Sequence, residues 1–128
     1  MKFSIIYEAQ MVDPSPESEV RNFHEMMEQS LLAEAMGFDV IWAVEHTALT
    51  QYAHMSAPET FLAFLAGRTT RIHVGQGVVC LPPAMNHPVK VAERVALLDI
   101  NDAELAASMQ ALARIVASGE LGEILHIE

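Results

Sequence analysis

Apolar runs and helical periodicity alternate along this chain from its first residues. Residues 2–9, KFSIIYEA, concentrate β-branched and aromatic side chains and predict a strand. The segment QMVDPSPES follows as a loop in which Pro14 and Pro16 oppose regular structure. Ser18 then predicts an N-cap for a helix carrying Val20, Phe23, Met27, Leu31 and Ala35 at three- and four-residue spacing, and Gly37 stops it. Residues 38–46, FDVIWAVEH, are apolar almost throughout, the pattern of a parallel strand buried on both faces. After the loop TALTQYAHMS, Pro58 opens a second helix with Phe61, Leu62 and Leu65 on one side and Gly67 at its end.

The alternation continues through RIHVGQGVVCL, residues 71–81, a third strand, and PPAMNHP leads into a third helix over 88–99 with Val91, Val95 and Leu98 as its stripe. Three strand–helix units joined by short links predict an α/β protein with a parallel sheet. The pattern changes near Ile100 and Asn101. Beyond it, Asp102 predicts a cap, Leu105, Met109, Leu112 and Val116 recur at helical spacing, Gly119 and Gly122 punctuate, and EILHIE alternates as a short strand. The expected division is therefore 1–100 and a helix–strand tail, 101–128, within one compact domain.

Length supports that economy: 128 residues suffice for one hydrophobic core and not for two. Charge narrows the partners. A formal net charge of -10 with scattered arginines argues against nucleic acid and anionic membrane surfaces. The apolar run in MKFSIIYEAQ ends at Glu8, too short for a signal or a membrane span. A single cysteine, Cys80, allows no internal disulfide, so a cytoplasmic setting is expected.

Two long stretches carry a resemblance. MGFDVIWAVEHT and TTRIHVGQGVVCLPPAMNHPVKVAERVALLD are similar, in order and spacing, to the first three strand–helix units of the bacterial luciferase-like, flavin-dependent monooxygenases, a likeness that covers residues 1–99. It implies a partial (β/α)8 (TIM) barrel and an oxidoreductase that uses reduced FMN and molecular oxygen on a small organic substrate. It also implies a flavin reductase as a possible partner. Such barrels place their chemistry at the C-terminal ends of the strands, here residues 7–10, 45–47 and 77–81. The tail 101–128, through ARIVASGELGEILHIE, resembles the start of the C-terminal domain of glucose–fructose oxidoreductase-like dehydrogenases. NAD binding does not carry over, because VGQGVV continues as strand and lacks the Gly-rich turn that holds a dinucleotide.

The resemblance assigns roles residue by residue. His46, in the Glu45-His46 motif, matches the family's active-site histidine, and an imidazole near neutrality can take or deliver a proton. Its plainer reading is a strand-end ring bonded to a loop carbonyl. Gly77 and Val78 fall where the family carries a non-proline cis peptide beneath the flavin, a bond that costs about 3 kcal/mol; the alternative there is a strand bulge. Glu45, Gly77 and Val78 are the implied cofactor contacts. Glu93 matches a helix used between subunits, and is otherwise a solvated charge. Cys80 reads as a small buried apolar residue. His24 and Glu28 lie one turn apart but have no third ligand, so no metal is expected. His54 and His73 show no convergent spacing, and His87 before Pro88 reads as a cap.

The family holds the FMN phosphate from its fourth strand onward, a region with no counterpart here, and Arg68 and Arg71 precede the third strand on the wrong side. FMN binding by the isolated chain is expected to be weak or absent. A homo-oligomer is expected, because an open part-barrel leaves sheet edges and apolar surface uncovered. Two readings follow: an oxygen-using flavoenzyme that is impaired or needs assembly, and a noncatalytic barrel fragment serving as an interaction or scaffold module.

Overall fold

The computed structural model describes residues 1–98. The expected tail helix and final strand, and the junction near Ile100, lie outside the described residues. Six elements alternate: β1 (Ser4–Tyr7), α1 (Pro16–Ala35), β2 (Val40–Val44), α2 (Pro58–Ala66), β3 (His73–Val78) and α3 (Pro88–Leu98). The strands form one parallel sheet in the order β1-β2-β3. Ile5 pairs with Ile41, and Ile41 with Val74, so that one row of side chains crosses all three strands.

That row faces the helices. Ile41, Ala43 and Val74 are buried with Met26, Met27 and Ala33 of α1 and Phe61, Leu62 and Leu65 of α2, a continuous apolar core. Among the described residues the opposite face is largely open, with Val44 buried (6%) at its end, which corrects the expectation that β2 is buried on both sides throughout. Ile6 is 59% exposed, Trp42 37% and Val78 51%. Strand side chains alternate between faces, and the described helices cover only one of them. On the open face the Trp42 ring lies across Gly75, where a Cβ would come within 2.4 Å of it. Only glycine leaves room for that close approach.

Helix α1 begins earlier than the prolines suggest. Ser15, not Ser18, is its N-cap: the Ser18 N–H donates to Ser15 Oγ (3.1 Å), and the Ser15 N–H donates back to Ser18 Oγ (2.8 Å). Pro16 takes the first helical position, where its missing N–H costs nothing. Ser18 is thus the third residue of a reciprocal cap. The helix ends as predicted, with Gly37 in the left-handed region (φ 88).

The far end of α1 is tied to the start of β3. Glu34 accepts hydrogen bonds from the backbone N–H groups of Thr70 (2.8 Å), Arg71 (2.7 Å) and Ile72 (3.1 Å). The Arg71 guanidinium donates to the carbonyls of Glu34 (2.7 Å) and Phe38 (2.8 Å). Desolvation works to raise the Glu34 carboxyl, but the three N–H donors and the Arg71 charge together outweigh it and hold it below the ordinary value. Since the folded carboxyl titrates below its unfolded value of about 4.5, its stabilisation is complete above that pH. It is lost as pH falls through the lower folded value. Glu34→Ala is expected to cost about 1–3 kcal/mol at neutral pH and to flatten the acid limb of the stability curve. Urea melts of both chains between pH 7 and pH 3 measure this.

Candidate functional site

At the C-terminal end of the sheet, the exits of the three strands are laced together by polar groups. The Glu45 N–H donates to the Val78 carbonyl (3.2 Å). Its carboxylate accepts from the Cys80 N–H (2.9 Å) and from the Thr47 hydroxyl (3.3 Å). Glu45 therefore fastens the β2 exit to the β3 exit, and those bonds occupy both of its carboxylate oxygens. Cys80 is half-buried rather than fully buried, because its segment has left the sheet.

Gly77 and Val78 lie at a register shift. Ala43 pairs with Gln76 but Val44 pairs with Val78, so Gly77 is an extra residue on β3. Every described peptide bond is trans, which corrects the cis expectation in favour of the bulge. Gly77 and Val78 are both exposed on the open face. A Cβ on Gly77 would meet Ile6 Cδ1 at 3.3 Å, so its absence keeps a shallow ledge of backbone between Ile6 and Val78.

His46 follows Glu45 at the exit of β2 and is half-buried. Its N–H donates to the Met55 carbonyl (2.8 Å), and its ring stands edge to face with Tyr52, centroids 5.8 Å apart. Nε2 is shielded from solvent and has no hydrogen-bond partner. A buried imidazole nitrogen without a partner among the described residues is costly unless a ligand or a water completes it.

Sequence reasoning missed the groups behind His46. Tyr52 donates its hydroxyl to Glu8 Oε2, and Gln10 Nε2 donates to the same carboxylate oxygen (2.8 Å) and to the Tyr52 oxygen (2.8 Å). Tyr52 and Gln10 lower the Glu8 carboxyl from its ordinary value, with a smaller contribution from nearby His46. The only advance signal was a charged residue closing the apolar run of β1. His54 was also passed over: its ring bonds Glu19 on α1, and that bond first of all raises the His54 titration.

The β3–α3 loop is braced separately. Arg94 pairs with Glu59 and donates to Asn86 (2.7 Å), whose amide in turn donates to the Cys80 carbonyl (2.9 Å). His87 acts as expected at the start of α3, its Nδ1 accepting from the Val89 N–H (3.3 Å). His24, Glu28 and Glu93 are exposed. No cluster of three metal-ligating side chains occurs among the described residues, and no described helix is long and apolar enough to cross a membrane.

Comparison with known proteins follows the same residues. The model of the luciferase-like monooxygenase family matches residues 1–101. The alkanal monooxygenase alpha chain of Photorhabdus luminescens is 38% identical over 68 residues, 53% of this chain and 18% of that protein. The oxygenase component of the flavin-dependent trigonelline monooxygenase of Acinetobacter baylyi is 32% identical over 102 residues, 78% of this chain and 27% of its own length. Among solved structures, the oxygenating constituent of 3,6-diketocamphane monooxygenase from Pseudomonas putida, in complex with FMN, superposes with a TM-score of 0.62. It is 22% identical and covers 77% of this chain and 26% of that one. The chain thus spans roughly a quarter or less of the proteins it resembles, and the shared fold is the opening of a TIM barrel.

Proposed function

The chain belongs to the luciferase-like monooxygenases, and from that membership we propose that it carries part of a flavin-dependent oxidoreductase site acting on a small organic substrate with molecular oxygen. His46 is its acid–base residue. The observation that carries this reading is the buried, unpartnered Nε2 of His46 at the exit of β2, together with the exposed Gly77 and Val78 at the exit of the neighbouring β3. These two features suit a flat heteroaromatic ring: the ledge offers close backbone approach, Ile6 and Val78 offer apolar contact, and the imidazole offers a proton at one edge.

Glu45, Gly77 and Val78 would line the flavin. Glu45 does so by holding the ledge, since its carboxylate already serves Cys80 and Thr47. Reduced FMN, when bound, supplies the electrons that activate oxygen; a separate flavin reductase would deliver it. The chain's own residues hold the ring, keep water from Nε2 and exchange a proton there. Residues 1–100 form the barrel portion of this scheme and 101–128 a tail appended to it, in a cytoplasmic protein.

The alternative is a noncatalytic module, favoured by the commitment of Arg71 and Arg94 to protein partners. A substitution at the ledge separates the two. Gly77→Val places a branched side chain where the ring would sit, and is expected to weaken flavin binding by about tenfold or more without unfolding the sheet. Flavin fluorescence titrations with circular dichroism of both chains provide the measurement. Equal quenching by the two would remove the proposed seat.

A further inference from the structure

We infer that Glu8 and Tyr52 are positioning residues for His46, acting as a two-part clasp that sets the plane of its ring. The inference rests on the assignment of His46 above and deepens it.

Three observations converge. The loop after β2 is stitched along the exit of β1: Met11 N–H donates to the Tyr52 carbonyl (2.8 Å), His54 N–H to the Ala9 carbonyl (3.0 Å), and Gln10 bridges Ala53 in antiparallel sense. That stitching brings the Tyr52 phenol to Glu8, 44 residues earlier in the chain. With its hydroxyl held by Glu8 and Gln10, the phenol ring has one orientation, and its contact with the imidazole is nearly perpendicular, at 79°. Edge-to-face pairs of this kind have a preferred geometry, so fixing the phenol fixes its neighbour.

Backbone strain marks the same place. Ala9, between Glu8 and Gln10, has φ 52, and Ala48, two residues after His46, has φ 60. Alanine rarely adopts the left-handed region, and such outliers persist only where the surroundings enforce them. Ala9 is buried at 3% exposure, and it lies just beyond β1 with both flanking side chains bonded to one phenol. The chain therefore tolerates two strained alanines, one on each side of the clasp.

The clasp also places charge. Glu8 is held as a carboxylate by its two donors and lies close enough to His46 for the charges to attract. Glu45, the carboxylate immediately after β2, is turned instead toward Cys80 and Thr47.

The test uses the full chain without flavin, so a failure to bind cofactor leaves it decisive. The His46 ring protons, observed by NMR, should be displaced from their random-coil positions by the Tyr52 ring current. Tyr52→Ala is expected to abolish the displacement, and Glu8→Ala to lose most of it as the phenol swings free. Glu8→Gln keeps an acceptor for the hydroxyl and should restore it. His24 and His87, which lie elsewhere, report any general loss of fold by moving together with His46. A displacement that survives Glu8→Ala, or that Glu8→Gln fails to rescue while His24 and His87 stay in place, overturns the clasp.

Discussion

Riboflavin and FMN are expected to bind the 128-residue chain about equally, both with dissociation constants in the high-micromolar range or weaker. A flavin phosphate ordinarily gains charge-assisted hydrogen bonds of about 1.5–3 kcal/mol each. Forgoing two or three of them weakens FMN by about three orders of magnitude or more. Two described arginines that flank β3 are already engaged. Arg71 is bound to the Glu34 and Phe38 carbonyls where β3 begins, at the opposite end of the sheet from His46. Arg94 is held by Glu59 and Asn86. What remains for either ligand is the ledge at Gly77 and Val78 and the edge of His46, which contact the ring and not the phosphate. Paired fluorescence-quenching titrations decide the matter. FMN binding more than about tenfold tighter than riboflavin, a difference of about 1.4 kcal/mol, would show that the chain or its oligomer has a phosphate site.

Two isoleucines on the sheet should respond very differently to truncation. Ile41 is fully buried between β2 and the helices, and Ile41→Ala is expected to cost about 2–5 kcal/mol at any protein concentration. Ile6 is 59% exposed on the other face. In dilute solution Ile6→Ala should cost no more than about 0.5 kcal/mol. We propose that copies of the chain associate to cover Ile6, Trp42 and Val78, and under that proposal the cost of Ile6→Ala rises with protein concentration, since association stabilises the folded state by mass action. Denaturant melts at two concentrations, with light scattering, read both effects. A monomer at high concentration, with a concentration-independent Ile6→Ala, would remove self-association. A cost below about 1 kcal/mol for Ile41→Ala would contradict a core on that face.

Much of the architecture is legible in the amino-acid sequence. The order of three strands and three helices follows from periodicities that repeat within a few residues. The helix stop at Gly37 is equally local, because a glycine there takes up a left-handed backbone of its own. The family likeness, too, was carried by contiguous stretches, and it located His46, Glu45, Gly77 and Val78 at strand exits. The α1 cap is local as well: Pro16 stands at the first helical position, where proline is welcome, rather than acting as a breaker.

What only the tertiary structure decided were the relations between segments distant in sequence. The apolar run of β2 could not reveal that one of its faces stays open, since burial depends on which neighbours arrive and not on the run itself. Of the two readings open at Gly77, cis peptide or bulge, the bulge was selected only when β3 was set in register against β2, where Val44 pairs with Val78. The Glu34 clamp joins residues 36 to 38 positions apart, and the Glu8–Tyr52 contact spans 44. Amino-acid type and spacing govern the conformation of a few turns of chain; a hydrogen bond between remote side chains exists only after packing and strand register have brought donor and acceptor within reach.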